Sequence, residues 1–588
     1  MCGIIGYVGN KEAAPILLDS LKRLEYRGYD SFGFATSSNG LLHLNKNVGK
    51  ISLSHEDSLK SLPGNMGIGH TRWATHGGVT RENSHPHSDC KNQVVVVHNG
   101  IVENYQELKR ELRERGHMFR SETDTEIIAH LIEEDLPSGF ENAVRKAIER
   151  IEGRYALVVM ERGSDELIAV RRGSPLIIGS GKGENFVASD IPAFLDHTRD
   201  VMYLDDHQMA IIRNDGVNFY SLDSGKEIQK RIVTIHWNAE QAKKGDYPHF
   251  MIKEIMEQKE TIMRAISQDE KEIQRIAAEI NKAFGTFFVG CGTAGKVCLT
   301  GEYVFSKVAK KHVNFCFGSE FPNYHHFLKP STLMITISQS GETADVLEAV
   351  DVAKREGVKV ISLVNVLGST LARVSDHTFL INAGPEKAVA STKATTSQLA
   401  LITLLAYASA GKLEEGKRLL METASAVNDM LNPRYEDHIR KLAEKIKNEH
   451  NIYIIGRSLN YPIALESAIK IQEVSYIHAE GFAGGELKHG PIALIGKGTP
   501  CIVLVANDEV RKDIISNAME IKSRGGYIIG ISPENNDVFD YWIRVPDAGN
   551  TSPIVNIIPV QILAYHLAVM RGCDPDFPKN LAKSVTVK

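Results

Sequence analysis

Short apolar runs alternate with longer helical patterns through the second half of the chain, and these runs occur in matched pairs. The offset between partners stays at 166 to 168 residues, which is typical of an internal repeat. Continuous apolar strands that alternate with helices predict parallel sheets covered on both faces. The pattern therefore predicts two tandem α/β units. The paired runs are 286–290 with 452–456, 333–338 with 500–505, and 358–363 with 526–531.

The first part of the chain has a different pattern. Short apolar runs at 2–9, 94–97, 156–160 and 176–179 are separated by glycines and charged turns, which predicts a sheet-rich domain. Polarity then rises, and long helical patterns begin at about residue 251. We therefore predict five segments. They are a first domain at 1–238, a linker at 239–250, two repeated domains at 251–435 and 436–572, and a C-terminal tail at 573–588.

Composition excludes some classes of function. A formal net charge of −5 over 588 residues leaves no basic footprint for nucleic acid. Seven cysteines without a CxxC pair favour a reducing cytoplasm and argue against structural zinc. The His- and Cys-containing segment 85–90 is interpreted as a flexible loop without a metal. The apolar stretch 399–410 is too short to cross a membrane.

Cys2 is the first candidate for chemistry. Removal of Met1 would leave a thiol and a free α-amine on one residue. An α-amine titrates near ~7.7–8.0 and can accept the thiol proton at neutral pH. Cys2 would then be nucleophile and base together. The alternative is a cysteine that follows the initiator by chance.

Three further segments add groups suited to an amino acid substrate. A buried strand runs into Asn99-Gly100, interpreted as a turn that exposes a side-chain amide and a backbone N–H, donors able to hold an oxyanion. Arg72 could pair with a carboxylate, and Asp124 with an ammonium group. Taken singly, each has a simpler interpretation. Arg72 could form a surface ion pair, Asn99-Gly100 a plain hairpin turn, and Asp124 a helix cap.

In this order after Cys2, these residues resemble the N-terminal-nucleophile glutamine amidotransferases. The resemblance implies that Cys2 attacks the glutamine amide, with Asn99 and Gly100 as the oxyanion hole. The remaining implied glutamine-binding residues are Arg72, Thr75, His76 and Asp124, and Trp73 is the implied gate for ammonia.

A hydroxyl-rich loop at 338–343 follows a predicted strand and opens a predicted helix. Such a loop can hold phosphate without a metal. The corresponding loop of the second repeat, 506–510, has lost the hydroxyls and gained carboxylates. The competing signal at 290–295 fits the dinucleotide fingerprint GxGxxG, but a lone fingerprint is common and nothing else in the chain suggests hydride chemistry. A P-loop is excluded, because Val297 occupies the position of its magnesium-binding hydroxyl.

The predicted helix 462–477 carries Glu466, Lys470 and Glu473 on one stripe, mixed with aliphatic residues. Burial would raise the pKa of such a carboxylate toward the range of a general base. The alternative is a solvated Glu–Lys ladder. In the tail, Lys583 lies among apolar residues, and desolvation would favour its neutral amine.

The 338–343 loop together with Gly292-Thr293 resembles the sugar isomerase domain. The whole chain, including the tail 580–587, resembles the glutamine–fructose-6-phosphate aminotransferase (isomerising) family. That resemblance implies an N-terminal-nucleophile αββα sandwich followed by two tandem parallel α/β sugar isomerase domains. One departure is Ala294, which stands where many members carry a phosphate-binding Ser.

The family resemblance also implies substrates and roles. L-glutamine and D-fructose 6-phosphate would give D-glucosamine 6-phosphate and L-glutamate in a cytoplasmic homodimer, with no cofactor or metal. Glu473 would move the proton, Lys583 would form a Schiff base, and His489 would assist ring opening. The implied sugar-phosphate-binding residues are Thr293, Ser338, Gln339, Ser340, Thr343, Ser391, Glu466 and Lys470.

Two alternatives remain at this point. Amidophosphoribosyltransferase, of the same N-terminal class, would need a pyrophosphate loop with paired acidic residues, and the chain has none. A phosphosugar-binding regulatory protein with a residual glutaminase domain would not need both Lys583 and Glu473.

Overall fold

The computed structural model describes residues 2–54, 61–235 and 244–586. The chain divides into two compact units. The first comprises Met1–Gln241 together with Ala582–Lys588, and the second comprises Ala242–Leu581. Residues 239–243 of the predicted linker lie outside the described residues, and the finer domain boundaries stay predictions.

The N-terminal unit contains two antiparallel sheets. One has eight strands in the order β15-β11-β9-β10-β1-β4-β2-β3, and the other has seven in the order β14-β13-β12-β8-β7-β6-β5. The strands are β1 Gly3–Gly9, β2 Ser31–Ser38, β3 Leu41–Val48, β4 Met66–Arg72, β5 His87–Ser88, β6 Val94–Val102, β7 Gly153–Glu161, β8 Leu167–Arg172, β9 Ile177–Ser180, β10 Glu184–Ala188, β11 Asp200–Tyr203, β12 Gln208–Ile212, β13 Val217–Ser221, β14 Glu227–Ile228 and β15 Val233–Thr234.

Three apolar layers hold this unit together. Alternate side chains of both sheets, among them Ile4, Ile68, Val97 and Val158, form a core between the sheets. The other face of the larger sheet packs on helix α1 (Ala13–Leu24). The second sheet packs on three helices. The result is the predicted αββα sandwich. The three helices are α2 Tyr105–Glu114, α3 Glu126–Asp135 and α4 Phe140–Arg150.

The second unit contains two five-stranded parallel sheets, which confirms the internal repeat. Their orders, β17-β16-β18-β19-β20 and β22-β21-β23-β24-β25, are the same doubly wound arrangement. The first sheet consists of β16 Gly285–Gly290, β17 Asn314–Phe317, β18 Thr332–Ser338, β19 Lys359–Val364 and β20 His377–Leu380. The second consists of β21 Asn451–Gly456, β22 His478–Ala483, β23 Pro500–Leu504, β24 Tyr527–Ser532 and β25 Tyr541–Arg544.

Helices cover these sheets and share one large apolar core that includes residues of both repeats. The helices are α5 Phe250–Met256, α6 Gln258–Ile266, α7 Glu270–Lys282, α8 Gly292–Val304, α9 Ala344–Arg355, α10 Thr370–Val374, α11 Lys393–Ser409, α12 Leu413–Met430, α13 Pro433–Ile446, α14 Tyr461–Ser475, α15 Arg511–Lys522 and α16 Ser552–Met570.

One apolar helix is longer than the stretch 399–410 considered from the sequence. Among the described residues, the segment Gly549–Met570 is long and apolar enough to cross a membrane by length and composition. However, 89% of its most apolar window is buried inside the protein. Burial of this extent is what a central core helix requires.

Candidate active sites

Cys2 immediately precedes strand β1 and is held by groups from distant segments. The backbone N–H of Trp73 donates to Cys2 Sγ at 3.2 Å, and Asn99 Nδ2 donates to the Cys2 carbonyl oxygen at 3.0 Å. Burial raises the pKa of the Cys2 thiol, whereas the Trp73 N–H and the nearby Arg72 guanidinium lower it. Both neighbours are therefore suited to stabilise a thiolate at this position.

The prediction of a turn at Asn99-Gly100 is wrong. Both residues lie inside strand β6, where they pair with Ala156 and Tyr155 of β7. Asn-Gly commonly forms a turn, but the strand continues here because β7 pairs with it on both sides of the dipeptide. Gly100 has φ of +131°, and a Cβ atom there would lie 1.9 Å from the Arg154 carbonyl oxygen. The position therefore requires glycine.

The Asn99 side chain lies close to Cys2, as predicted, but a continuous strand and not a turn positions it there. Besides its bond to Cys2, Asn99 Nδ2 donates to Ser189 Oγ at 2.9 Å. The ring nitrogen Nε2 of His70 lies 3.0 Å from Asn99 Oδ1, which fixes the orientation of the amide. An amide that is buried and held on both sides is a preorganised hydrogen-bond donor.

Arg72 ends strand β4 and is buried, which excludes the surface ion pair considered from the sequence. Its guanidinium donates to the carbonyl oxygens of His76, Gly77 and Gly78 at 2.5, 3.1 and 3.0 Å. Burial lowers the pKa of Arg72. The guanidinium thus shapes the loop that carries Thr75, which is exposed, and His76, whose ring packs on Tyr105 at 5.2 Å.

Asp124 is buried and does not cap helix α3. Its Oδ2 accepts a hydrogen bond from the backbone N–H of Val102 at 2.8 Å, which ties it to the end of β6. Trp73, the predicted gate, is half-buried, and its ring meets Tyr29 edge to face at 5.6 Å. The structure therefore collects the predicted residues of the glutamine site in one unit.

Two residues near Cys2 were missed from the sequence. Arg27 Nε donates to the Cys2 carbonyl oxygen at 3.4 Å and is buried against Asp190, 2.9 Å away. Ser189 follows β10 and accepts from the backbone N–H of Ile4 at 2.8 Å as well as from Asn99. Neither lies in a local motif, and only the pairing of β1 with β10 places Ser189 near the nucleophile.

In the second unit, the predicted phosphate loop lies between strand β18 and helix α9. Ser338 Oγ accepts from the Gly341 N–H at 2.9 Å and lies 3.5 Å from Thr343 Oγ1, and Ser340 Oγ accepts from the Glu342 N–H at 3.2 Å. The loop, which includes Gln339, lies at the carboxyl end of a parallel strand and opens a helix of 12 residues. Those two features together favour binding of an anion.

Helix α14 carries a buried charge cluster, which excludes a solvated ladder. Lys470 Nζ contacts Glu473 and lies 3.3 Å from Glu466 Oε1, and both Lys470 and Glu466 are almost inaccessible. Burial raises the pKa of Glu466, with Lys470 acting against it. Burial would lower the pKa of Lys470, but the two carboxylates prevail and raise it.

This cluster joins the two repeats. Thr293, at the start of helix α8 in the first repeat, donates its hydroxyl to Glu466 Oε1 of the second at 3.0 Å. Lys296 is one turn further along α8, and its pKa is lowered by burial although Glu466 raises it. Lys296 is a second cation beside the cluster that sequence reasoning left without a role.

The remaining predicted residues lie on three other segments. Ser391 donates to Glu386 Oε2 at 3.1 Å, and Glu386 Oε1 accepts from the backbone N–H groups of Thr392 and Ala394 at 2.9 and 3.0 Å. Glu386 therefore organises this loop, a role not seen in the sequence. His489 is exposed on a short turn, and Lys583 is half-buried in a tail that groups with the N-terminal unit.

Comparison with known proteins assigns the two units. A family model described as a glutamine amidotransferase domain matches residues 70–196, and the SIS domain model matches residues 279–408 and 445–571. The C-terminal domain of glucosamine-fructose-6-phosphate aminotransferase from Francisella tularensis has a TM-score of 0.52 at 34% identity. The match covers 57% of this chain and 99% of the Francisella tularensis chain.

Relatives of known name match over their full length. Two proteins named glutamine--fructose-6-phosphate aminotransferase [isomerizing], from Pyrococcus horikoshii and Thermus thermophilus, are 46% and 42% identical to this chain. Each alignment covers 100% of both chains. The resemblance inferred from the sequence is confirmed, and this chain belongs to the glutamine–fructose-6-phosphate aminotransferase (isomerising) family.

Proposed function

We propose that this enzyme transfers the amide nitrogen of L-glutamine to D-fructose 6-phosphate and isomerises the product to D-glucosamine 6-phosphate, releasing L-glutamate. The family assignment supports the reaction. The arrangement around Cys2 carries the proposal, because the thiol, the Trp73 N–H and the Asn99 amide converge there from separate segments.

The N-terminal unit frees the nitrogen. With Met1 removed, the α-amine of Cys2 takes the thiol proton, and the thiolate attacks the γ-amide carbon of glutamine. Asn99 and the Gly100 N–H stabilise the oxyanion, ammonia leaves, and water releases glutamate from the thioester. The orientation of the Asn99 amide by His70 supports this role.

The same unit holds the two ends of glutamine. Arg72 would bind the α-carboxylate and Asp124 the α-ammonium group, with Thr75 and His76 lining the loop. Burial of Arg72 and Asp124 supports these roles, because ion pairs in such sites are stronger than at an exposed surface. Trp73, next to Arg72 in the chain, would gate the passage of ammonia.

The second unit binds and isomerises the sugar. The phosphate would sit at the loop of Ser338, Gln339, Ser340 and Thr343, and Ser391 would line the sugar site. Glu473 would move a proton between C1 and C2 of the sugar, in the field of Glu466 and Lys470. The contact of Glu473 with a buried lysine supports this, because it holds the carboxylate in one orientation.

Lys583 would open the sugar as a Schiff base at C2, after His489 assists ring opening. Loss of water forms the imine, and ammonia then displaces the lysine amine at C2. Ammonia must reach C2 without mixing with bulk water, where it would become ammonium and lose its nucleophilicity. We further propose a cytoplasmic homodimer, as the family resemblance implies.

Two reciprocal variants test this division of labour. Cys2→Ala should lower glutamine-dependent synthesis by about 10³-fold or more, because the nucleophile is absent. The same variant should retain synthesis from a high concentration of ammonium salt to within about twofold. Lys583→Arg should keep glutaminase activity and lose synthesis from either nitrogen source.

Cys573→Ala is the matched control, because this half-buried thiol lies outside both proposed sites. It should leave both activities unchanged. Equal loss of glutamine-dependent and ammonia-dependent synthesis in Cys2→Ala would contradict the separation of the two sites. Normal product formation by Lys583→Arg would contradict the imine role.

A further inference from the structure

Four metal-ligating side chains that the proposed reaction does not use meet in the N-terminal unit. They come from three segments: Cys90 follows strand β5, His117 follows helix α2, and His130 and Glu133 lie one turn apart on α3. One ligand atom from each lies within 4.8 Å of the others. His130 is fully buried, and the other three are half-buried.

The distances fit the edges of a tetrahedron around a small cation. Cys90 Sγ lies 3.7 Å from His117 Nδ1 and 3.6 Å from His130 Nδ1. Both Nδ1 atoms lie 3.1 Å from the same oxygen of Glu133, Oε2. Zn–S and Zn–N bonds of about 2.3 and 2.0 Å at tetrahedral angles give S–N edges of about 3.5 Å and N–O edges of about 3.3 Å.

A second layer of carboxylates faces the far side of both rings. His117 Nε2 lies 3.6 Å from Glu134 Oε1, and His130 Nε2 lies 3.9 Å from Glu126 Oε1. These distances are longer than a hydrogen bond, but the negative charge still favours the tautomer with its proton on Nε2, which leaves the Nδ1 lone pair for a metal. In metal sites a carboxylate often lies on this side of a ligating histidine.

We propose that Cys90, His117, His130 and Glu133 bind a structural Zn²⁺ ion. Sulfur and imidazole ligands select zinc over Mg²⁺ or Ca²⁺, and four protein ligands leave no open position for catalysis. The ion would fasten the turn after β5 to helices α2 and α3. Since α3 begins two residues after Asp124, this would steady the segment proposed to bind the glutamine α-amine.

This proposal replaces the interpretation of segment 85–90 as a flexible loop with no metal. The structure places His87–Ser88 in a strand and buries His85 and His87. Sequence reasoning tested only ligands adjacent in the chain. The partners of Cys90 lie 27 and more residues away and become visible only when the helices pack on the sheet.

Metal analysis of the tag-free full-length protein tests the proposal. After removal of metal with a chelator, reloading with a small excess of Zn²⁺ and dialysis against metal-free buffer, we expect about one tightly held zinc per chain. Co²⁺ in its place should give the intense thiolate-to-cobalt charge-transfer absorption of a tetrahedral sulfur-containing site. Chelation should lower the thermal unfolding temperature by about 5 °C or more.

Cys90→Ser and His130→Ala should lose the charge-transfer band and most of the tightly held zinc, whereas the Cys573→Ser control should keep both. The cobalt spectrum of the unmodified protein keeps the proposal testable if a variant fails to fold. Wild-type protein that takes up neither Zn²⁺ nor Co²⁺ would show a hydrogen-bonded cluster only and overturn the proposal. Equal zinc content in Cys90→Ser and wild type would also overturn it.

Discussion

At the scale of single residues, the proposed nucleophile depends on groups that the fold brings to it. The Cys2 thiol accepts from the Trp73 N–H, and its carbonyl oxygen accepts from Asn99 and Arg27. None of these neighbours is adjacent to Cys2 in the chain. Replacing the side-chain donor of Asn99 or Arg27 should therefore affect glutamine chemistry while leaving the sugar site intact, whereas the Trp73 donor is a backbone group that a substitution keeps.

Asn99→Asp should separate catalysis from folding. The change keeps the shape of the side chain but removes the Nδ2 donor and adds a negative charge beside the thiol. We expect glutaminase kcat to fall by about 10²–10³-fold, with ammonia-dependent synthesis unchanged to within about twofold. Steady-state kinetics with each nitrogen source measure this. Asn142→Asp, at an exposed position of helix α4, is the control and should match the wild type.

The buried pair of Glu466 and Lys470 should make the stability of the protein depend on pH. Glu466 has a raised pKa from burial, so its contribution to stability is greatest below its unfolded pKa and is lost as pH rises through the folded value. Lys470→Met removes the cation that stabilises the ionised carboxylate of Glu466 in the folded protein. The variant should lose about 3–5 kcal/mol near neutral pH, because a buried carboxylate is left unpaired.

The loss in Lys470→Met should be smaller at pH 5, where Glu466 can take up a proton, than at pH 8. Calorimetric unfolding of the two proteins at both pH values measures the difference. Lys470→Met combined with Glu466→Gln should recover part of the stability, and the exposed Lys441→Met should change little. An equal loss at pH 5 and pH 8 would show that Glu466 does not carry the effect.

At the scale of elements, strand β6 shows why local sequence signals can fail. Asn-Gly commonly forms a turn, but the strand continues because β7 pairs with it through Val102. The apolar strands of the repeated sheets and the loop before α9 were predictable, since their patterns are local. Ser189, Arg27 and Glu386 were not, because tertiary packing alone gives them their roles.

Gly100→Ala should disrupt the pairing of β6 with β7. A Cβ atom there would lie 1.9 Å from a backbone carbonyl oxygen that cannot move without breaking the ladder. We expect a loss of about 3 kcal/mol or more, with loss of glutaminase activity. Gly116→Ala is the matched control, since its φ is +94° but nothing lies within 4 Å of the added atom.

The control Gly116→Ala carries only backbone strain and should cost about 1 kcal/mol. Thermal unfolding measures both variants. If Gly100→Ala were no less stable than Gly116→Ala, the close approach of the β7 backbone would not be the reason for glycine at this position.

In the whole molecule, the two units are proposed to carry out different tasks. One is an antiparallel αββα sandwich and the other a pair of parallel α/β repeats joined by the Thr293–Glu466 contact. The continuous apolar runs predicted the parallel α/β repeats, whereas the short runs of the first part predicted only a sheet-rich domain and the family resemblance supplied the αββα sandwich. The sequence did not predict the Cys90 cluster, whose members lie far apart in the chain.

The proposed division of labour requires that nitrogen freed at Cys2 reaches C2 of the sugar without mixing with solvent. The direct test uses glutamine labelled with nitrogen-15 at its amide, together with fructose 6-phosphate and an excess of unlabelled ammonium, with mass spectrometry of the product. We expect glucosamine 6-phosphate that keeps nearly all of the label at early times. Label diluted to the composition of the bulk ammonium pool would contradict the proposed division of labour.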